Sequence, residues 1–204
     1  MSEQVVEHAG HGHAPEVDEH FGTASDGKVG MWIFLLTDAM SFSGLLLGYG
    51  ILRGESHSWP DPRERLGIPS TAIMTFALIC SSVSMVMALD SAKSRDRTKT
   101  LRWLGATIFG GVFFLLGQVR EYTNLIHEGH VFSQDQFMST FYSVTGFHGL
   151  HVFTGVTYLT VIFIRTWRGH YMNGDYNHIE ICGLFWHFVD LVWILVFTFV
   201  YLIP

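Results

Sequence analysis

Residues 179–203 read IEICGLFWHFVDLVWILVFTFVYLI, 25 residues without a Lys or Arg and with only Glu180, His187 and Asp190 as titratable carboxylates or imidazoles. A hydrocarbon core of about 30 Å is crossed by roughly 20 apolar helical residues, so this stretch spans a bilayer. Four more apolar stretches precede it, at about 29–52, 70–90, 101–123 and 139–166. Five such stretches in 204 residues leave too little polar chain to wrap a soluble core. The expected fold class is therefore all-α, an integral membrane bundle of five transmembrane helices.

Composition supports this reading. Hydrophobic residues make up 49% of the chain and charged ones 15%, with a mean hydropathy of +0.29. A soluble domain carries about 25% charged residues. The apolar content excludes a wholly disordered chain. A net charge of −6 with no basic stripe excludes nucleic acid as a partner. Cys80 and Cys182 both lie in apolar runs and form neither a disulfide framework nor a CxxC pair.

Residues 1–27 stand apart as a His-rich, disordered, cytoplasmic tail, with His8, His11, His13 and His20 among acids and no apolar run. The tail lacks the basic start and apolar centre of a secretory signal. Residues 28–204 form the membrane domain. Eight Lys and Arg fall on the side of Lys28 and the 91–102 and 165–178 connections, and four on the other. The positive-inside rule then places the N-terminus in the cytoplasm and the C-terminus outside.

Ionisable groups at bilayer depth are costly, and function is sought among them. Asp38 lies about nine residues into the first helix, roughly 13 Å from its end at 1.5 Å per residue. It reads either as a proton-handling carboxylate or as an acid hydrogen-bonded across helices. His148 and His151 share a helix face, as do His187 and Asp190, which Trp186 and Trp193 flank. An imidazole meeting a carboxylate suggests a metal's outer shell, with His187 paired to Asp190. No matched set of histidines or copper-type Cys/His/Met cluster accompanies them, so the expectation is helix-to-helix hydrogen bonding, with no metal and no catalytic centre in this chain. Gly44-x-x-x-Gly48 has the small-residue spacing of close helix packing. Glu121 ends the third helix and Glu180 opens the fifth, where acids are usually solvated. Arg165, Arg168 and His170, with Trp167 and Tyr171, form a cationic-aromatic cluster suited to an anionic lipid headgroup.

Two runs then carry a resemblance. Thr145-Gly146-Phe147-His148-Gly149-Leu150-His151-Val152 and Trp186-His187-Phe188-Val189-Asp190-Leu191-Val192-Trp193 resemble the two signatures of subunit III of haem-copper oxidases. Gln118-x-x-Glu121-Tyr122 is similar to that family's helix-ending motif, and Glu180 falls where many members have a glutamate. The resemblance covers about residues 28–203. It implies a cofactor-free helical subunit docked on the catalytic subunit I, which with subunit II holds the haems and copper. The implied roles are stabilising subunit I, supporting proton uptake, and holding phospholipid in a cleft on the oxygen route. Asp38 aligns with the family's buried carboxylate, often Glu, and Arg165, Arg168 and His170 with its headgroup contacts. The resemblance is to the five-helix bacterial form, in place of the mitochondrial seven, and so implies a bacterial plasma membrane. It also allows membership of a larger respiratory supercomplex. The His-rich tail and Asp38 look like the quinol-oxidase version. Glu180, Gln118 and Phe188-Val189-Asp190 look more like cytochrome c oxidase, the version favoured. An accessory subunit of nitric-oxide reductase and an independent transporter are the alternatives.

Overall fold

A computed structural model describes residues 25–171 and 176–203. The His-rich tail, residues 1–24 of it, lies outside the described residues. Five long helices are present: α1 (Asp26–Glu55), α3 (Ile68–Lys93), α4 (Arg97–His127), α5 (Gln136–Trp167) and α6 (Asn177–Val196). Between α1 and α3 sits a single turn, α2 (Pro62–Arg65), and α6 runs on into a π-helical turn, Phe197–Leu202. All five long helices are long and apolar enough to cross a membrane.

The first four long helices overrun their apolar stretches at both ends, and polar side chains cap two of them. Asp96 starts α4 by accepting the Lys99 backbone N–H at 3.0 Å, and Asp135 starts α5 by accepting that of Met138 at 2.8 Å. At the other end of α5, the Arg97 side chain donates to the Thr166 carbonyl at 3.2 Å and to that of Trp167. A cation there suits the negative end of the helix dipole. The chain leaves α4 through Gly129 at φ +88°, a left-handed turn that glycine adopts without strain.

α3, α4, α5 and α6 close a ring in which each packs on its neighbours, and α1 lies outside it against α5 and α6. The α3–α4 and α5–α6 connections share the end where α1 begins, termed the near end; α2 and the α4–α5 connection lie at the far end. Three large side chains, Trp186, Trp193 and Phe114, are almost fully enclosed in the ring. Glycine makes room for them. A Cβ on Gly111 would stand 2.5 Å from Trp186 Cη2 and 2.6 Å from Val156 Cγ2. One on Gly155 would stand 3.0 Å from the same indole.

The expected role of Gly44-x-x-x-Gly48 is corrected: neither glycine has an atom of another helix within 4 Å of its Cβ position. α1 meets the bundle through Leu35, Asp38, Phe42 and Tyr49, which turns Gly44 and Gly48 away from it. Gly111→Val should therefore lower the melting temperature of the purified protein, by the equivalent of about 1–3 kcal/mol of overpacking. Gly44→Val should leave it nearly unchanged, and equal effects of the two would refute this packing.

Asp135 also ties the far end together, since its second oxygen binds Arg65 of α2 at 2.5 Å. Partial burial pushes this carboxyl up, but the Met138 N–H and the Arg65 guanidinium outweigh that and hold it below its ordinary range. A depressed carboxyl adds stability that is fully present above the unfolded value, about 3.9, and is lost as pH falls through the folded one. Melting curves between pH 5 and pH 3 should therefore fall less steeply for Asp135→Asn than for the parent chain; parallel slopes would contradict the assignment.

Candidate functional site

The intramembrane polar residues sort into four groups, each built across at least two helices. The first joins α1 to α5. Asp38 is 8% exposed, and its Oδ1 meets Nε2 of His151 at 3.1 Å. The other imidazole nitrogen, Nδ1, lies 2.8 Å from the Phe147 carbonyl. A carbonyl only accepts, so Nδ1 carries a hydrogen. The contact between Nε2 and Oδ1 then needs one more proton, held by either partner. The pair lies in the middle third of both helices. Phe42 and Phe147 wall it, with ring centroids 5.1 and 4.7 Å from the imidazole. Oδ2 of Asp38 has no hydrogen-bond partner among the described residues.

His148, one turn from His151, does something else. It is completely buried, and neither ring nitrogen has a hydrogen-bond partner among the described residues. Its ring lies 4.8 Å from Trp193 at 30° and 5.6 Å from Phe114 at 87°, packed as an aromatic plate. The shared face predicted for the two histidines is real, but His151 reaches α1 while His148 enters the ring of four helices.

The second group is the face of α3. Trp193 Nε1–H donates to Thr75 Oγ1 at 2.8 Å, and Trp186 Nε1–H to Ser81 Oγ at 3.1 Å. The expected His187–Asp190 bond does not form. His187 Nδ1 lies 2.8 Å from Ser82 Oγ, while Asp190 Oδ1 is buried with no hydrogen-bond partner among the described residues. Spacing by three residues puts His187 and Asp190 on one face, but the imidazole is taken by Ser82 of α3. The sequence signal missed here is the density of hydroxyls in α3, which holds Ser70, Thr71, Thr75, Ser81, Ser82, Ser84 and Ser91.

The third group sits nearer the far end. Gln118 Nε2–H donates to the Thr145 carbonyl at 2.8 Å and to Tyr122 Oη at 3.1 Å; Tyr122 in turn lies 2.7 Å from Thr145 Oγ1. Glu121, expected at a solvated interface, is buried instead. It accepts from Thr71 Oγ1 and from the Tyr201 hydroxyl, both at 3.1 Å. Tyr201 belongs to the π-helical turn and was not singled out in the sequence; the turn brings its hydroxyl to Glu121, while α4 presents that carboxylate inward rather than to water.

The fourth group closes the near end. Glu180 meets Lys28 at 2.8 Å, and Ser25 Oγ meets Asn177 Oδ1 at 2.9 Å, so α1 and α6 are joined where both begin. Arg165, Arg168 and His170 are exposed at the same end, and Arg165 Nη1–H donates to the Tyr171 hydroxyl at 3.3 Å. Among the described residues no three His, Cys, Asp or Glu side chains converge as metal ligands.

The family model described as "Cytochrome c oxidase subunit III" matches residues 13–203. The chain is 31% identical to the "Cytochrome bo(3) ubiquinol oxidase subunit 3" of Pseudomonas aeruginosa, over 95% of this chain and 90% of that one. It is 32% identical to the "Cytochrome c oxidase subunit 3" of Bacillus sp. (strain PS3), over 85% and 84%. It is 35% identical to the "Probable cytochrome c oxidase subunit 3" of Mycobacterium bovis, over 86% and 87%.

Because Ser82 Oγ is the partner of His187 Nδ1 across α3 and α6, Ser82→Ala should lower the melting temperature, by the equivalent of about 1–3 kcal/mol for the ring nitrogen stranded. Ser84, whose hydroxyl bonds only the Cys80 carbonyl of its own helix, provides the contrast. A Ser84→Ala loss as large as that of Ser82→Ala would dismiss the bridging role.

Proposed function

Because the chain belongs to the cytochrome c oxidase subunit III family and is an accessory subunit that acts only within a haem-copper oxidase complex, we propose that it braces the catalytic subunit and sustains proton uptake there while holding no redox group of its own. The observation that carries the proposal is the Asp38–His151 pair. A shared proton at bilayer depth, walled by two phenylalanines, is a titratable device that helix packing alone does not require. The neighbouring indole and hydroxyl contacts supply rigidity; this one supplies a group able to gain or lose a proton.

The haems and copper belong to subunits I and II, its proposed partners in a bacterial plasma membrane. Arg165, Arg168 and His170 are the proposed headgroup contacts for phospholipid at the near end, where an exposed guanidinium pair and an imidazole suit a phosphate. For the electron donor we favour cytochrome c, supported by Gln118, Glu180 and Phe188-Val189-Asp190. A quinol oxidase is the second reading, favoured by Asp38 and by the likeness over 95% of the chain to the Pseudomonas aeruginosa protein named for ubiquinol.

Recovering the tagged chain from its native membrane in mild detergent tests the assignment. The expected result is a stoichiometric haem-bearing partner, with c-type haem in the preparation supporting the cytochrome c version; a colourless chain recovered alone would count against the role. Asp38→Asn keeps the side chain's size but removes its titration. In the purified oxidase it should leave assembly intact and slow proton uptake or hasten inactivation during turnover. Turnover and inactivation both equal to those of the parent enzyme would refute the proton role.

A further inference from the structure

A groove of about 610 Å³ opens between α3 and α4 at the far end, remote from Arg165, Arg168 and His170. At Gly110 the two helices nearly touch, since a Cβ there would lie 2.6 Å from that of Ser81 and 3.3 Å from the Ala77 carbonyl. Beyond it, towards the far end, the groove is lined from both helices.

The lining is graded along its length. Phe113, Leu116, Arg120 and Asn124 follow one another at spacings of three and four along α4, and Glu128, its C-cap, ends a single stripe that passes from apolar to charged. From Phe113 to Arg120 is roughly 10 Å of helix rise, the distance from hydrocarbon to the headgroup layer. Ile73 faces this deep part from α3, and is 62% exposed.

Both signs of charge line the mouth. Arg65 is taken by Asp135, and Glu121 by Thr71 and Tyr201. That leaves Arg120 and Glu128, both exposed and neither hydrogen-bonded nor ion-paired through its side chain among the described residues. One available guanidinium and one available carboxylate, two turns apart above an apolar trough, match a headgroup that is itself a phosphodiester joined to a primary ammonium. An anionic headgroup would satisfy the Arg and face an unanswered carboxylate.

We propose that this groove is a binding site for a zwitterionic glycerophospholipid of the phosphatidylethanolamine type. Arg120 grips the phosphate, Glu128 receives the ammonium, and an acyl chain lies against Ile73, Phe113 and Leu116. The site is independent of which electron donor the oxidase uses, and it lies in the leaflet opposite the near-end cluster.

The test uses the intact detergent-purified complex, stripped of loose lipid and then offered phosphatidylethanolamine or phosphatidylglycerol in mixed micelles, with retained lipids counted by native mass spectrometry. The parent complex should retain one phosphatidylethanolamine more than Arg120→Gln does, and Arg120→Lys should restore much of that binding. Glu128→Gln should shift the preference towards phosphatidylglycerol. Ile73→Trp, which fills the trough from a lipid-exposed position, should lose the same lipid with the complex otherwise intact. Unchanged lipid counts in both Arg120→Gln and Ile73→Trp would overturn the proposal. So would a photo-crosslinker at residue 124 that captured a neighbouring polypeptide in place of lipid.

Discussion

A bilayer core offers no water to a polar side chain, so each such group at that depth must find its partner inside the protein, and this requirement organises the bundle. The ring of α3, α4, α5 and α6 is closed less by apolar attraction, which lipid tails supply equally well, than by hydrogen bonds and close steric fit. Indole N–H groups from α6 reach hydroxyls on α3. Glu121 of α4 gathers donors from α3 and from the π-helical turn. Gly111 and Gly155 exist in the same economy, since the Trp186 ring that donates to Ser81 needs their missing side chains to reach it.

Some groups are left incompletely satisfied, and they mark where chemistry differs from packing. Asp38 keeps one buried oxygen without a partner while the other meets His151. His148, one turn away, has no partner at either nitrogen and is held by aromatic rings. Two histidines of one motif thus make different contacts: one meets a carboxylate of α1, the other fills space beside Trp193. α1 belongs to the first of these alone, which is why it lies outside the ring and is joined to α6 at its start by Lys28 and Glu180.

The two ends of the molecule differ in how they treat charge. At the near end cations lie exposed, with Arg97 turned back on the α5 carbonyls. At the far end two acids are engaged by other helices, Asp135 capping α5 while holding Arg65 and Glu121 being enclosed, while Glu128 stays exposed. The groove between α3 and α4 carries at its mouth one available charge of each sign.

Much of this was legible in the chain alone. Apolar runs of bilayer length fixed the number and approximate limits of the helices, because crossing hydrocarbon demands both length and low polarity over a contiguous stretch. The depth of Asp38 followed from the same counting, and the order of the signature motifs pointed to the family. Partner identity did not follow. Spacing by three predicts which side chains share a face, and so joined His187 to Asp190, but it is silent about the facing helix; Ser82 on α3 decides that pairing. Spacing likewise grouped His148 with His151, and only the placement of α1 outside the ring gives one of them to Asp38. Gly44 and Gly48 carry a packing pattern that no helix of this chain uses, whereas Gly110, Gly111 and Gly155 acquire their role from which neighbour stands opposite. Contacts within a helix are set by its period, which sequence records; contacts between helices depend on rotation and crossing, which only the assembled bundle determines.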